Sequence, residues 1–202
     1  MVQPPHTCAM CVSESNREEM ADPPDVVLSA ATAHDAVLLS NLLELYIHDV
    51  SAAFPSVELG ADGRFGYSKL ALYWSEPDRH FPFLISWDSR VVGFALATRG
   101  SPASDDPNVF DVAEFFVIRR HRRSGVGRRA AMLLWNRLPG SWIVRASEGI
   151  PAAVPFWRSV VAEFTSGAAA EFKRPGSPHG WHVFSFASAG QLCVAPTTAA
   201  GR

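Results

Sequence analysis

The stretch Glu114-Phe-Phe-Val117-Ile-Arg-Arg-His-Arg122-Arg-Ser-Gly125-Val-Gly127-Arg-Arg-Ala130 constrains this chain more than any other part of it. An apolar, aromatic run of strand length ends in an arginine-rich loop, and that loop opens a helix. The helix is predicted from near Gly125 to about Leu138, where Pro139-Gly140 stops it. A loop feeding a helix N-terminus presents free backbone N–H groups and the positive end of the helix dipole, which suits a pyrophosphate. Glycine at 125 and 127 lets the backbone approach phosphates without a Cβ in the way. Six arginines fall between Arg119 and Arg129 with no acid among them, whereas the whole chain carries a net charge of −2. Arginine at a helix N-terminus opposes the dipole and needs an anion to justify it. Nothing in the overall charge draws the chain to nucleic acid or to an anionic membrane.

With 202 residues, 48% of them hydrophobic, the chain suits one domain that needs no disulfide or metal staple. Residues 1–25 hold four prolines and no apolar period, and are read as a disordered tail, with Met20 as an alternative start. In it His6, Cys8 and Cys11 offer three metal ligands, but no second pair follows to close a zinc shell, so no metal is expected. Three cysteines, an odd and small number, and the lack of a secretory signal point to reduced thiols in a cytoplasm. The body is placed at 26–187, with 188–202 as a second tail.

Within the body the expected order is a strand at 26–30 and a helix capped by Thr32 and Asp35 that runs to about Phe54. Leu38, Leu42 and Leu45, and Leu39, Leu43, Tyr46 and Val50, recur in that helix at helical spacing. A short helix at 69–74 follows, then a hairpin of 83–87 and 90–98 joined by Asp88-Ser89, and a strand at 110–118. After the helix at 125–138 come a strand at 142–146, a short helix from about Ala152, and closing strands at 162–165 and 181–186. This is an α/β chain of the α+β type, with one mixed, largely antiparallel sheet and helices on both faces.

Two cofactor classes fit the loop. Gly125-Val-Gly127-Arg-Arg-Ala130 matches the dinucleotide pattern G-x-G-x-x-A, with Glu148 near the expected distance. In a dinucleotide fold, however, the strand enters its first glycine directly; here Arg119–Ser124 intervene, and the upstream hairpin does not suit a doubly wound sheet. The pattern R-x-x-G-x-G, as Arg122-Arg-Ser-Gly125-Val-Gly127, instead resembles the coenzyme A loop of the GNAT superfamily of N-acetyltransferases. Tyr46-Ile-His-Asp, Gly93-Phe94 and Pro155-Phe156-Trp157-Arg158 fall in that family's order, so the resemblance spans roughly residues 26–187.

The resemblance implies acetyl-CoA as co-substrate, with the pantetheine arm along the backbone of Phe116 and Val117. It implies a pyrophosphate wrapped by the amides of Arg122, Arg123, Ser124, Gly125, Val126, Gly127 and Arg128. Two positions depart from the family. Ile150 stands where an Asn is frequent, and Trp157 where a Tyr serves as general acid. The implied reaction is direct attack of an amine on the acetyl group. Glu114, a carboxylate in an apolar strand, is the expected base. Glu44, His48, Asp49 and Tyr67 are the expected acceptor-binding residues, with a small-molecule or peptide amine as partner and the chain a monomer or homodimer. His179 and His182 are read as surface residues. The alternatives are a nucleotide-dependent oxidoreductase and a non-enzymatic module gripping nucleic-acid phosphates.

Overall fold

In a computed structural model, residues 25–189 are described. They form a seven-stranded sheet flanked by four helices. The expectations for the two tails, including His6, Cys8, Cys11 and Cys193, lie outside the described residues. The strands are β1 (Val26–Ala30), β2 (His80–Trp87), β3 (Arg90–Arg99), β4 (Phe110–Val117), β5 (Gly140–Ser147), β6 (Ala170–Arg174) and β7 (Trp181–Ser188). The helices are α1 (Ala36–Ser51), α2 (Leu72–Ser75), α3 (Val126–Arg137) and α4 (Ala153–Phe164). Strand order is β1-β2-β3-β4-β5-β7-β6, and only β4 and β5 run parallel. The mixed α/β architecture therefore agrees with the sequence reading.

Each face of the sheet is buried by its own helices. Leu39, Leu42 and Leu43 of α1 and Tyr73 of α2 pack with Phe94, Leu96 and Phe116 on one face. Ala130, Leu134 and Trp135 of α3 and Trp157, Val160 and Val161 of α4 pack with Val112, Val117, Val144 and Phe184 on the other. The first helix opens as expected: the Asp35 carboxylate accepts hydrogen bonds from the Thr32 N–H and hydroxyl at 2.8 and 3.0 Å. The β2–β3 hairpin turns on Asp88 and Ser89, both at positive φ (51° and 57°), which suits a two-residue turn matching strand twist.

Four expectations need correction. Residues 162–165 are not a strand: Trp157, Val160, Val161 and Phe164 repeat at helical spacing, and all four pack in the α3–α4 core, so α4 continues to Phe164. The pairing edge is supplied instead by β6. In α1, Leu38 and Leu45 face solvent; Ile47, off both predicted stripes, is buried. The short helix begins at Leu72, after turns, and not at Lys69. His182 is a β7 residue, 9% exposed, and not a surface histidine.

Candidate active site

β4 carries one extra residue. Leu96 of β3 lies opposite Glu114, yet the next residue, Ala97, lies opposite Val112, so Ala113 is bulged out. Side chains alternate along a strand, and a one-residue insertion moves everything beyond it to the other face. Phe110 and Val112 point to the α3–α4 face, and without the bulge Glu114 would follow them into an apolar core. The bulge turns it toward α1. There the Tyr46 hydroxyl donates to Glu114 Oε2 at 2.5 Å and the Tyr67 hydroxyl donates to Oε1 at 3.1 Å. Burial pushes the Glu114 carboxyl above its ordinary value, against the opposing effects of the two phenol hydrogen bonds and of Arg145 and Lys69. Burial, and then the Glu114 charge, raises both phenols, so Tyr46 and Tyr67 stay neutral donors.

β4 and β5 pair only at Phe110–Trp142 and Asp111–Ile143 and then part. Beyond that point β4 stays with β3 as far as Val117, and β5 stays with β7 as far as Ser147. The Ile118 N–H donates to the Val92 carbonyl of β3, so by alternation the Val117 N–H and carbonyl face the opening on the other side. The Val117 carbonyl is taken by Arg122 Nε at 2.6 Å. Close approach of β3 at this point requires Gly93, since a Cβ there would lie 2.1 Å from the Phe116 carbonyl oxygen.

The opening leads to the loop. Arg123 and Gly125 adopt positive φ (62° and 86°), and Gly125 caps α3. The amides of residues 123–128 have no backbone partner among the described residues; the first of the helix to find one is Arg129, on the Gly125 carbonyl. A Cβ on Gly125 would meet nothing within 4 Å. Ser124 ties the loop by donating its hydroxyl to the His121 carbonyl at 2.7 Å. Here an anion can be held by backbone alone.

Most of the other expected site residues have internal partners. Arg122 and Arg119 both pair with Asp49, joining the loop to α1. Arg128 pairs with Glu163 of α4. Phe116 buries its ring against Tyr46 and Phe94. Glu44 accepts from the Phe65 and Gly66 amides and from Arg64, and so holds the segment that delivers Tyr67. His48 is exposed and packs edge-on against Phe65. Trp157 is buried against Phe115 and Trp135, with no route to a substrate proton.

Sequence reasoning missed Arg145, whose guanidinium makes a bidentate pair at 2.9 Å with the fully buried Asp111 beside the site. It also missed Phe54, stacked on Trp181, and His179, whose Nε2 lies 2.9 Å from the Ala53 carbonyl. These contacts join the end of α1 to the β6–β7 loop and the start of β7. They come from segments more than 120 residues apart, and no local spacing announces them. Among the described residues no cluster of His, Cys, Asp or Glu could hold a metal, and no helix is long and apolar enough to cross a membrane.

Comparison with known proteins agrees with this geometry. The chain is similar to yncA from Salmonella typhimurium, solved with its cofactor acetyl-CoA (11% identity, 86% of this chain and 98% of that one, TM-score 0.57). It is similar to AAC(6')-Ib in complex with ribostamycin and coenzyme A (13% identity, 81% and 93%, TM-score 0.54). A third similar structure is the ribosomal-protein-S18-alanine N-acetyltransferase from Escherichia coli (12% identity, 85% and 99%, TM-score 0.50). At these identities the likeness is one of fold. No curated protein matches the chain. The family model described as acetyltransferase (GNAT) family matches residues 42–143, half of the sequence, and the chain therefore belongs to the GNAT acetyltransferase family.

Proposed function

We propose that this protein transfers the acetyl group of acetyl-CoA, the donor its family uses, to the amine of a small molecule or peptide by direct attack. One observation carries the reading. The parting of β4 from β5 leaves the Val117 N–H facing the opening, the loop amides of residues 123–128 have no backbone partner among the described residues, and the bulge sets Glu114 on the α1 side. The diphosphate of the co-substrate fits the loop, because among the described residues the amides of 123–128 lack backbone partners and nothing lies within 4 Å of a Cβ placed on Gly125. Acetyl-CoA supplies an activated acyl group on a thiol leaving group. The open edge of β4 would accept the pantetheine arm as a further strand. The Val117 N–H would hold the carbonyl oxygen as it gains negative charge.

Glu114 would take the amine's proton. Three residues of strand separate it from Val117, about 10 Å, so the proton passes through water. A carboxyl raised by burial is better matched to a base working near neutrality than an exposed one. Trp157 cannot serve as acid, and the two phenols are raised. The thiolate therefore leaves as the anion, which a thiol with an ordinary pKa of about 8.5 permits.

The dinucleotide reading lacks its fold: a doubly wound sheet needs several parallel pairs, and this sheet has one. Calorimetry with acetyl-CoA, NADH and a short DNA duplex tests the assignment. Acetyl-CoA should bind, and Gly125→Val, which strains a positive φ and fills the cleared space, should abolish that binding in a folded protein. Unchanged affinity in a folded Gly125→Val variant would overturn the assignment, and steep salt-dependent binding of the duplex alone would favour the phosphate-gripping module.

A further inference from the structure

Glu114 and Tyr67 line a cleft of about 280 Å³ on the α1–α2 side of the sheet. The cleft is small for a ligand site, and suits a compact headgroup better than an oligosaccharide. Its charge is one-sided: Lys69, Arg79, Arg99 and Arg145 line it, and Glu114 is the only acid among the lining residues. Asp111 lies beneath Arg145, and the bidentate pair neutralises both. Arg99 lines the cleft from β3, but its guanidinium rests on the face of Phe110, 4.5 Å from the ring centroid, on the α3–α4 side of the sheet, and so points away from it. Lys69 and Arg79 make no ion pair within 4 Å among the described residues, although Lys69 is near enough to act on the Glu114 charge. In the same wall, His80 Nδ1 is buried without a hydrogen bond, 3.6 Å from the Glu76 carboxylate. Two cations without a close ion pair, Lys69 and Arg79, set beside one carboxylate in a concave site, attract an anion and repel a second positive charge.

We propose that the acceptor is an anion-tipped amine, its amino group toward Glu114 and a carboxylate or phosphate held by Lys69 and Arg79. The inference rests on the acetyl-transfer reading and narrows it: polyamines and aminoglycosides, which bring several positive charges, are disfavoured. Arginine suits either anion through paired hydrogen bonds, and lysine contributes a mobile point charge.

The test uses the full chain, acetyl-CoA and straight-chain primary amines of two to six carbons ending in a carboxylate, a phosphate, an amide or a second amine. Thiol release gives kcat/KM, and calorimetry gives binding apart from turnover. At matched length the anion-tipped amines should exceed the amides by at least tenfold, and the diamines should be poorest. The better of the carboxylate and phosphate members identifies the anion. Raising the salt concentration should narrow the preference. The double variant Lys69→Ala/Arg79→Ala should lose about 10- to 100-fold in kcat/KM for anion-tipped amines, through KM, while keeping its acetyl-CoA affinity. Amides or diamines that react as well as the anion-tipped amines would overturn the proposal, as would an unchanged preference in the double variant. Binding of the anion-tipped amines at the cleft without acetylation of any amine would sink the transfer reading and leave the anion site standing.

Discussion

Glu114 sits between two phenols that donate to it and a cleft that faces water, and its protonation should govern both rate and stability. The rate should rise with pH as the carboxylate ionises and as the acceptor amine loses its own proton. Glu114→Gln keeps the shape and removes the basicity, so a rate loss of about 10²- to 10⁴-fold is expected, with unchanged acetyl-CoA affinity. The loss should shrink at high pH, where the acceptor arrives deprotonated. Stability runs the other way. A carboxyl raised by burial favours the fold in its protonated form, and that advantage is lost as pH rises through its folded value. Thermal melts should therefore find Glu114→Gln at least as stable as the parent at pH 8. A lowered Tm with a modest, pH-independent rate loss would mark Glu114 as a structural residue. Its candidacy was legible as an acid in an apolar strand; its two tyrosine partners, 68 and 47 residues away, were not.

At the scale of elements, the close seam of β3 on β4 is what holds the Val117 N–H toward the opening. Gly93→Ala would place a methyl against the Phe116 carbonyl, and backbone cannot move aside as a side chain can. An overpacking cost of about 1–3 kcal/mol is expected, read as a Tm drop of roughly 2–12 °C, together with weaker acetyl-CoA binding. The outer edge carries a different device. Glu171 of β6 accepts from Arg158 of α4 and contacts His182 of β7. The Arg158 hydrogen bonds, with smaller help from His182 and against burial, pull its carboxyl down to about 2. The stability this contributes is present above the ordinary carboxylate value and is lost as pH falls toward 2. Since the pair is partly exposed, Glu171→Gln should cost only about 1–3 °C in Tm at neutral pH, a deficit that narrows on acidification. Equal melts across that range would show the network to be idle.

For the molecule as a whole, the three core clusters of the described residues lie within residues 26–186. A chain beginning at Met20 should therefore melt with the full-length protein and bind acetyl-CoA equally. A stoichiometric zinc lost on truncation, with a large fall in Tm, would show Cys8 and Cys11 to be structural. The sequence by itself determined what depends on neighbours along the chain: the helix start at the arginine–glycine loop, the Thr32–Asp35 cap, the β2–β3 hairpin and the α/β class. Each is a local matter of backbone conformation, turn residues and periodicity. The end of α4 was misread because Ala162–Thr165 alone suits a strand, whereas burial of Trp157, Val160, Val161 and Phe164 against α3 and the sheet decides for helix. Only the tertiary structure decided the bulge at Ala113, the parting of β4 from β5, and the meeting of Tyr46, Tyr67, Lys69, Arg79 and Arg145 around Glu114. Those features depend on strand register and on contacts between segments far apart in sequence, and neither register nor long-range packing is written in the spacing of any single segment.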